Sequence, residues 1–411
     1  MDKHLLSTGD IGHMKKTDVD MLEGPIWKKV MVFAIPLVLT GILQQLFNMA
    51  DTAVVGQFAG KEAMAAVGSN GHLTGLLVNT FIGISTGIVV VMGNALGAGN
   101  REKAAQCVHT GVVFPVISGI IIACVAQLIA SKLLTILNVP IEIKPMALTY
   151  LRIYMVGLPL IFLYDFESAI LRSYGDSRTP LTSLAISGTV NIVLNLILVI
   201  IFHLSVAGVA IATVISYGVS TVILLIAITR RESLTIKHSI VEDKVLKQIL
   251  VIGVPAGLQS AVFSLSNICI QSSINSLGAD AMAATAAASQ LELLQYSVLF
   301  AISQACTAFI GQNYGAGNRK RCRKVTKVCL WQEILSAFAI AVVMIFFSQQ
   351  LLEIFNNDSN VIRLGKIRLI IILIGTVLNG IIEVYSSTMI GYGNSLSPAL
   401  CERQALFYIV R

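Results

Sequence analysis

The stretch Gly97-Ala98-Gly99-Asn100-Arg101 returns as Gly315-Ala316-Gly317-Asn318-Arg319. The register holds on both sides of it. Upstream, Gly60 with Ala63-Met64-Ala65-Ala66 meets Gly278 with Ala281-Met282-Ala283-Ala284. Downstream, Tyr174-Gly175-Asp176-Ser177 and Pro180 meet Tyr392-Gly393-Asn394-Ser395 and Pro398. Three matches in one register make the chain a duplication of a unit of roughly two hundred residues, far beyond the period of a solenoid or propeller. In an apolar chain such duplication is the internal symmetry of secondary transporters.

The chain is 55% hydrophobic and 12% charged, with a mean hydropathy of +0.80; soluble domains carry roughly 25% charged residues. Apolar runs lie at about 27–56, 68–96, 107–130, 147–171, 181–203, 205–229, 247–275, 281–311, 328–349 and 367–390. Each is long enough to cross a hydrocarbon core of ~30 Å. Glycine is abundant inside them, as where helices pack closely in lipid. The expected fold is an all-α polytopic membrane protein embedded in a lipid bilayer.

The net charge of +7 is sorted by side and is not a nucleic-acid signal. One side holds Lys3, Lys15, Lys16, Lys28, Lys29, Arg101, Lys103, Arg172, Arg178, Arg230, Arg231, Lys237, Lys244, Lys247, Arg319, Lys320, Arg321, Arg323, Lys324 and Lys327. The other has Lys61, Lys132, Lys144, Arg152, Arg363, Lys366 and Arg368. Twenty against seven places the N-terminus in the cytoplasm by the positive-inside rule. The first ~25 residues lack the apolar core of a signal peptide. Both GAGNR copies precede basic residues, so both face one side, and each repeat makes an even number of crossings. The first copy makes six, ending near Thr229. The halves are therefore parallel repeats about an axis along the membrane normal. The division expected is a cytoplasmic tail (1–26), an N-lobe (27–229), a charged linker (230–246), a partial C-lobe (247–398) and an aberrant tail (399–411).

Cys107, Cys124, Cys269, Cys306, Cys322, Cys329 and Cys401 stand at no metal-ligand spacing and read as small buried hydrophobes. No phosphate-binding loop occurs, and the GAGNR segments follow apolar helices rather than strands, which excludes a dinucleotide fingerprint. No enzyme chemistry, metal or cofactor is expected. Intramembrane carboxyls are costly and need a reason. Asp51 is the leading candidate, alone in the outer half of the first span, where low dielectric suits it to exchange a proton; a loop-capping role is the alternative. Asp165 and Glu167 in the fourth span, Glu292 in the eighth and Glu383 in the tenth are candidate cavity acids, or else carboxyls bonded between helices. The repeat places Asp165 opposite Glu383. Pro36 and Pro255, early in the first span of each lobe, are candidate hinges.

Pro36, Gly41, Asp51, Thr52, Val55 and Gly56 fit the pattern P-x4-G…D-T-x-V-V-G. With the paired GAGNR loops and Leu171-Arg172-Ser173-Tyr174-Gly175-Asp176-Ser177-Arg178-Thr179-Pro180, it resembles the multidrug and toxic compound extrusion (MATE) family from about Trp27 to Pro398. The resemblance implies two six-helix lobes around a central cavity, and export of small organic cations or toxins driven by H⁺ or Na⁺ exchange. It also implies that Asn191 and Asn195 on the fifth span and Thr213 on the sixth meet Asp51. Asn195 stands where part of the family has an acid, which favours H⁺ over Na⁺; helix-to-helix bonding is the structural alternative for the two Asn residues. The seventh span offers only amides and hydroxyls from Gln259 to Ser273. A lipid-linked oligosaccharide flippase of the same superfamily would need basic residues in its cavity, whereas the intramembrane ionisable residues here are mostly acidic. After Pro398, Glu402 and Arg403 interrupt the expected eleventh helix. Of twelve expected helices about ten are therefore read, as in a truncated, non-transporting product. A monomer is expected.

Overall fold

A computed structural model describes residues 18–137, 139–231, 242–275, 278–355 and 358–400. The described residues form helices and no strands. The N-lobe comprises α1 (Ile26–Phe58), α2 (Lys61–Gly97), α3 (Arg101–Ile136), α4 (Lys144–Val156), α5 (Leu158–Ser173), α6 (Arg178–Leu196) and α7 (Ser205–Thr229). A single π turn, Ile197–Ile201, extends α6. The C-lobe comprises α8 (Asp243–Asn275), α9 (Ala279–Gly315), α10 (Arg319–Phe346), the short α11 (Ser348–Glu353) and α12 (Ser359–Gly391).

Nine of these helices are long and apolar enough to span a bilayer, and α4 with α5 makes a tenth, bent by 49°. The apolar run 147–171 reads as one helix, yet it breaks at Gly157. Pro159 lacks an amide and crowds the preceding turn. The gap is filled by Val214 of α7, whose Cγ2 would lie 2.4 Å from a Cβ at position 157. Most of the residues expected in the linker, 232–241, and the tail from Cys401 onward lie outside the described residues.

The recurring pentapeptide is a tight turn between antiparallel helices. In the first copy Gly99 adopts φ +70°, and the Asn100 amide donates back to Ala95 O at 2.9 Å, closing the end of α2. The Asn100 side chain then accepts from the Lys103 amide and starts α3. The second copy repeats each step with Gly317 at φ +71°, Asn318 to Asn313 O at 2.9 Å, and the Arg321 amide on the Asn318 side chain.

The two lobes meet along α2. A Cβ at Gly97 would lie 2.0 Å from Gln312 O, and one at Gly315 would lie 2.1 Å from Asn94 O. Positions 97 and 315 are repeat partners, as are 94 and 312, so the contact is reciprocal about a two-fold axis between α2 and α9. Further along, α2 touches α8 backbone to backbone: Gly87 faces Ile249 O, and Gly253 faces Ile84 O, each at 2.3 Å from the added Cβ. Only glycine permits this approach. These contacts lie toward the basic face. Toward the opposite face the lobes touch through long polar pairs, Gln45 with Gln290 and Asn79 with Ser264, both at 3.5 Å.

Candidate functional site

Asp51 stands two turns before the end of α1. Around it α6 and α7 bring Asn191, Asn195 and Thr213, as the resemblance implies. Asn191 and Asn195 lie one helical turn apart on a single face of α6 and are 4% and 0% exposed. The Asn195 amide group donates to Asp51 Oδ1 and also to Asn191 Oδ1 at 3.2 Å. Thr213 Oγ1 is 2.9 Å from Val209 O and 3.4 Å from Asp51 Oδ2. Its hydroxyl can donate to either oxygen, the helix carbonyl being the nearer acceptor and the Asp51 carboxylate the longer one. The buried Asn195 Oδ1 has no hydrogen-bond partner among the described residues. The π turn begins two residues beyond Asn195; such turns recur at functional sites.

A cavity of about 40 Å³ opens beside this group, lined by Gln44, Phe47, Asn48, Asp51, Leu184, Ser187, Gly188, Asn191, Thr213, Ser216 and Tyr217. A few waters would fit it. Gly188 makes the room, since a Cβ there would overlap the Phe47 ring. Asp51 is the sole ionisable carboxyl in the lining, and no Lys or Arg faces it. The arrangement offers a half-buried carboxylate one amide donor, one hydroxyl oxygen and a free amide oxygen. Such a set can accept a proton, or a small cation held by oxygens.

The other candidate acids lie elsewhere, and none lines this cavity. Asp165 is 9% exposed and Glu167 fully enclosed within the N-lobe, and neither Glu167 oxygen has a hydrogen-bond partner among the described residues. They are buried between helices rather than open to a vestibule. Glu292 is not a lone acid. Arg368 of α12 grips it with two hydrogen bonds, Nε to Oε1 at 3.1 Å and Nη2 to Oε2 at 3.2 Å, and so neutralises it. Glu383 sits on α12, half-buried. A fifth acid, Glu333 of α10, is fully buried against Gly380, and neither carboxyl oxygen has a hydrogen-bond partner among the described residues. The rule that flagged Asp51, an acid inside an apolar run, also applies to Glu333. Pro36 and Pro255 lie inside α1 and α8.

The sequence profile of the MatE family matches residues 36–197 and 255–402. The probable multidrug resistance protein YoeA of Bacillus subtilis is 29% identical over 91% of this chain and 83% of its own length. The FAD transporter of Shewanella oneidensis is 25% identical over 92% of this chain and 85% of its own. In fold, a mutant of the Vibrio cholerae MATE transporter VcmN superposes with a TM-score of 0.87 over 93% of this chain and 87% of that one, at 23% identity. A profile match over most of the chain, a shared two-lobed helical fold and a duplicated sequence leave one assignment: the protein belongs to the MatE family of multi-pass membrane transporters.

Proposed function

We propose that this transporter exports cationic or amphipathic drugs or toxins from the bacterial cytoplasm in exchange for H⁺, with Na⁺ the less favoured coupling ion. One observation carries the reading: a single carboxylate, Asp51, is the only charge in an otherwise neutral cavity. A cavity of about 40 Å³ admits an ion or a few waters rather than a drug, so this observation bears on the coupling step, and the cationic cargo follows from the mostly acidic intramembrane ionisable residues. The name of YoeA, a probable multidrug resistance protein, supports drug export.

Expelling a monovalent cation against an inside-negative potential costs about 2.3 kcal/mol per 100 mV. Each tenfold concentration ratio adds about 1.4 kcal/mol. Exchange for one entering proton cancels the voltage term and leaves the pH gradient to drive export. Competition for Asp51 enforces the exchange: cargo leaves when the proton arrives. The neutral partners Asn191 and Asn195 keep the site singly charged at most, which suits one proton better than a dehydrated Na⁺. Pro36 gives α1, which carries Asp51, a place to bend as the lobes exchange access, and Pro255 does the same for α8. The basic face is cytoplasmic in this scheme, and one chain suffices.

The test is export of a fluorescent organic cation from everted vesicles, with and without an imposed pH gradient. Asp51→Asn is expected to abolish gradient-driven export while protein level and fold are kept. Export that stays intact and equally pH-dependent in Asp51→Asn removes the coupling role.

A further inference from the structure

Residues 18–25, which precede α1, have no helical or strand structure. They run across the basic face and bond to both lobes. On the N-lobe side the Val19 amide donates to Gly175 O at 3.0 Å, and Asp18 receives two hydrogen bonds from Arg231, both at 2.8 Å. Arg231 follows the end of α7, where the inter-lobe linker starts, and also grips Asp176. The three side chains are nearly sealed from solvent, with exposures of 5% for Arg231, 3% for Asp18 and 0% for Asp176. On the C-lobe side Asn313 at the end of α9 donates to Met21 O at 3.0 Å. Arg321 in the first turn of α10 donates to Met21 O at 3.3 Å, Gly24 O at 3.1 Å and Glu23 O at 2.6 Å. The Met21 side chain is 1% exposed.

We infer that Asp18 to Gly24 form a strap that holds the basic face of the two lobes shut, and that this strap must leave the C-lobe before that face can open. The inference rests on the exporter reading above, in which cargo enters from the basic face. Its physical basis is that this bent segment makes no backbone hydrogen bonds within itself among the described residues, so the carbonyls of Met21, Glu23 and Gly24 rely on the donors of Asn313 and Arg321. Moving the lobes apart breaks one set of bonds. The N-lobe set includes an enclosed charge network, and removing one partner from such a network leaves a buried charge. The C-lobe set consists of side chains on neutral carbonyls, with the Arg321 bonds to Glu23 and Gly24 exposed, and losing it buries no unpaired charge, so it gives way first.

The repeat itself records the strap. Asp176 in Tyr174-Gly175-Asp176-Ser177 becomes Asn394 in the second copy. Asn394 only starts the following turn, accepting from the Ser397 amide and hydroxyl. Asp176 does the equivalent for Arg178 and Thr179 and, in addition, binds Arg231. Its extra charge belongs to the lobe on which the strap is anchored. Gly175, at φ +91°, lets the strap lie close, because a Cβ there would be 2.4 Å from Val19 O.

The experiment places paramagnetic labels at the exposed positions Glu102 and Lys320, one per lobe on the basic face, by chemistry that spares the native cysteines. Distances are read by pulsed EPR on the full chain in lipid nanodiscs. Arg321→Gln is expected to raise the ratio of wide to narrow distances on the order of tenfold, the response to losing a charge-assisted hydrogen bond. Lys324→Gln, an equal charge loss on α10, leaves the ratio unchanged. A second arm keeps the idea testable if Arg321→Gln does not fold. Glu23→Cys with Lys324→Cys, which leaves Arg321 in place, is joined by a short reducible cross-linker, which is expected to stop cation export until reductant restores it. Unchanged distances in Arg321→Gln, or full export by the cross-linked protein, overturns the strap. The distance readout needs no cargo, so a failed export assay with Asp51→Asn leaves it standing.

Discussion

At the scale of the residue, Asn195 decides what Asp51 can hold. Its amide is the donor to one carboxyl oxygen, and its own oxygen is buried without a hydrogen-bond partner among the described residues. Asn195→Ala removes the donor and leaves a void. A hydrogen bond to a charged group contributes about 1.5–3 kcal/mol, so ion-driven export should fall by about tenfold or more at unchanged protein level. Asn195→Asp has the opposite character. Two carboxyls at hydrogen-bonding distance must share a cation or a proton, and export in vesicles at fixed pH should become stimulated by added NaCl over KCl. If Asn195→Asp stays indifferent to Na⁺, the neutral amide does not set ion choice. Asp51 was legible because an acid within an apolar run has few harmless explanations. Asn195 and Thr213 were reachable only through the resemblance, because amides and hydroxyls are common between membrane helices. The pairing of Glu292 with Arg368 was not legible, since it joins helices far apart in sequence.

At the scale of the element, closeness between helices is set by glycines on α2, α8 and α9. Gly315 is the sharpest case, with three backbone atoms of Asn94 inside 2.7 Å of an added Cβ. No flexible side chain can yield there, so Gly315→Ala should push α2 and α9 apart. Overpacking of this kind costs about 1–3 kcal/mol, read as a lower midpoint of thermal unfolding in detergent. Gly375→Ala in α12 is the control: nothing lies within 4 Å of its added Cβ, and the midpoint should hold or rise slightly because alanine favours helix. Equal midpoints for the two variants would show that the α2–α9 crossing is slack. Helix number and order followed from the apolar runs, because a bilayer imposes length. The break at Gly157 did not, since it depends on Val214 of α7 filling the space that Gly157 leaves.

At the scale of the whole molecule, the repeat register and the charge asymmetry together predict orientation. Both Gly-Ala-Gly-Asn-Arg turns occupy one face, and Lys320 beside the second is exposed there. The short turn between α1 and α2 occupies the other face, where Gly60 adopts φ +91° and Lys61 is exposed. The same parity puts Gly278, its repeat partner, on that side with φ +98°. Lys and Arg crowd the first face, and insertion keeps such clusters in the cytoplasm. Lys61→Cys should therefore react with a membrane-impermeant maleimide in intact cells, and Lys320→Cys only after the cells are permeabilised. The parent protein, with Cys124 its exposed thiol among the described residues, gives the background. The reverse pattern would invert the molecule: the strap would then guard the external face, and Asp51 would lie near the cytoplasm. Labelling of both positions from outside would instead break the parity, and with it the parallel relation of the lobes. The contacts between α2 and α9 argue against that second outcome: Gly93 meets Gly311 and Gly97 meets Ala316, so the order of contacts advances in the same direction along both helices, as it does for lobes inserted in the same sense.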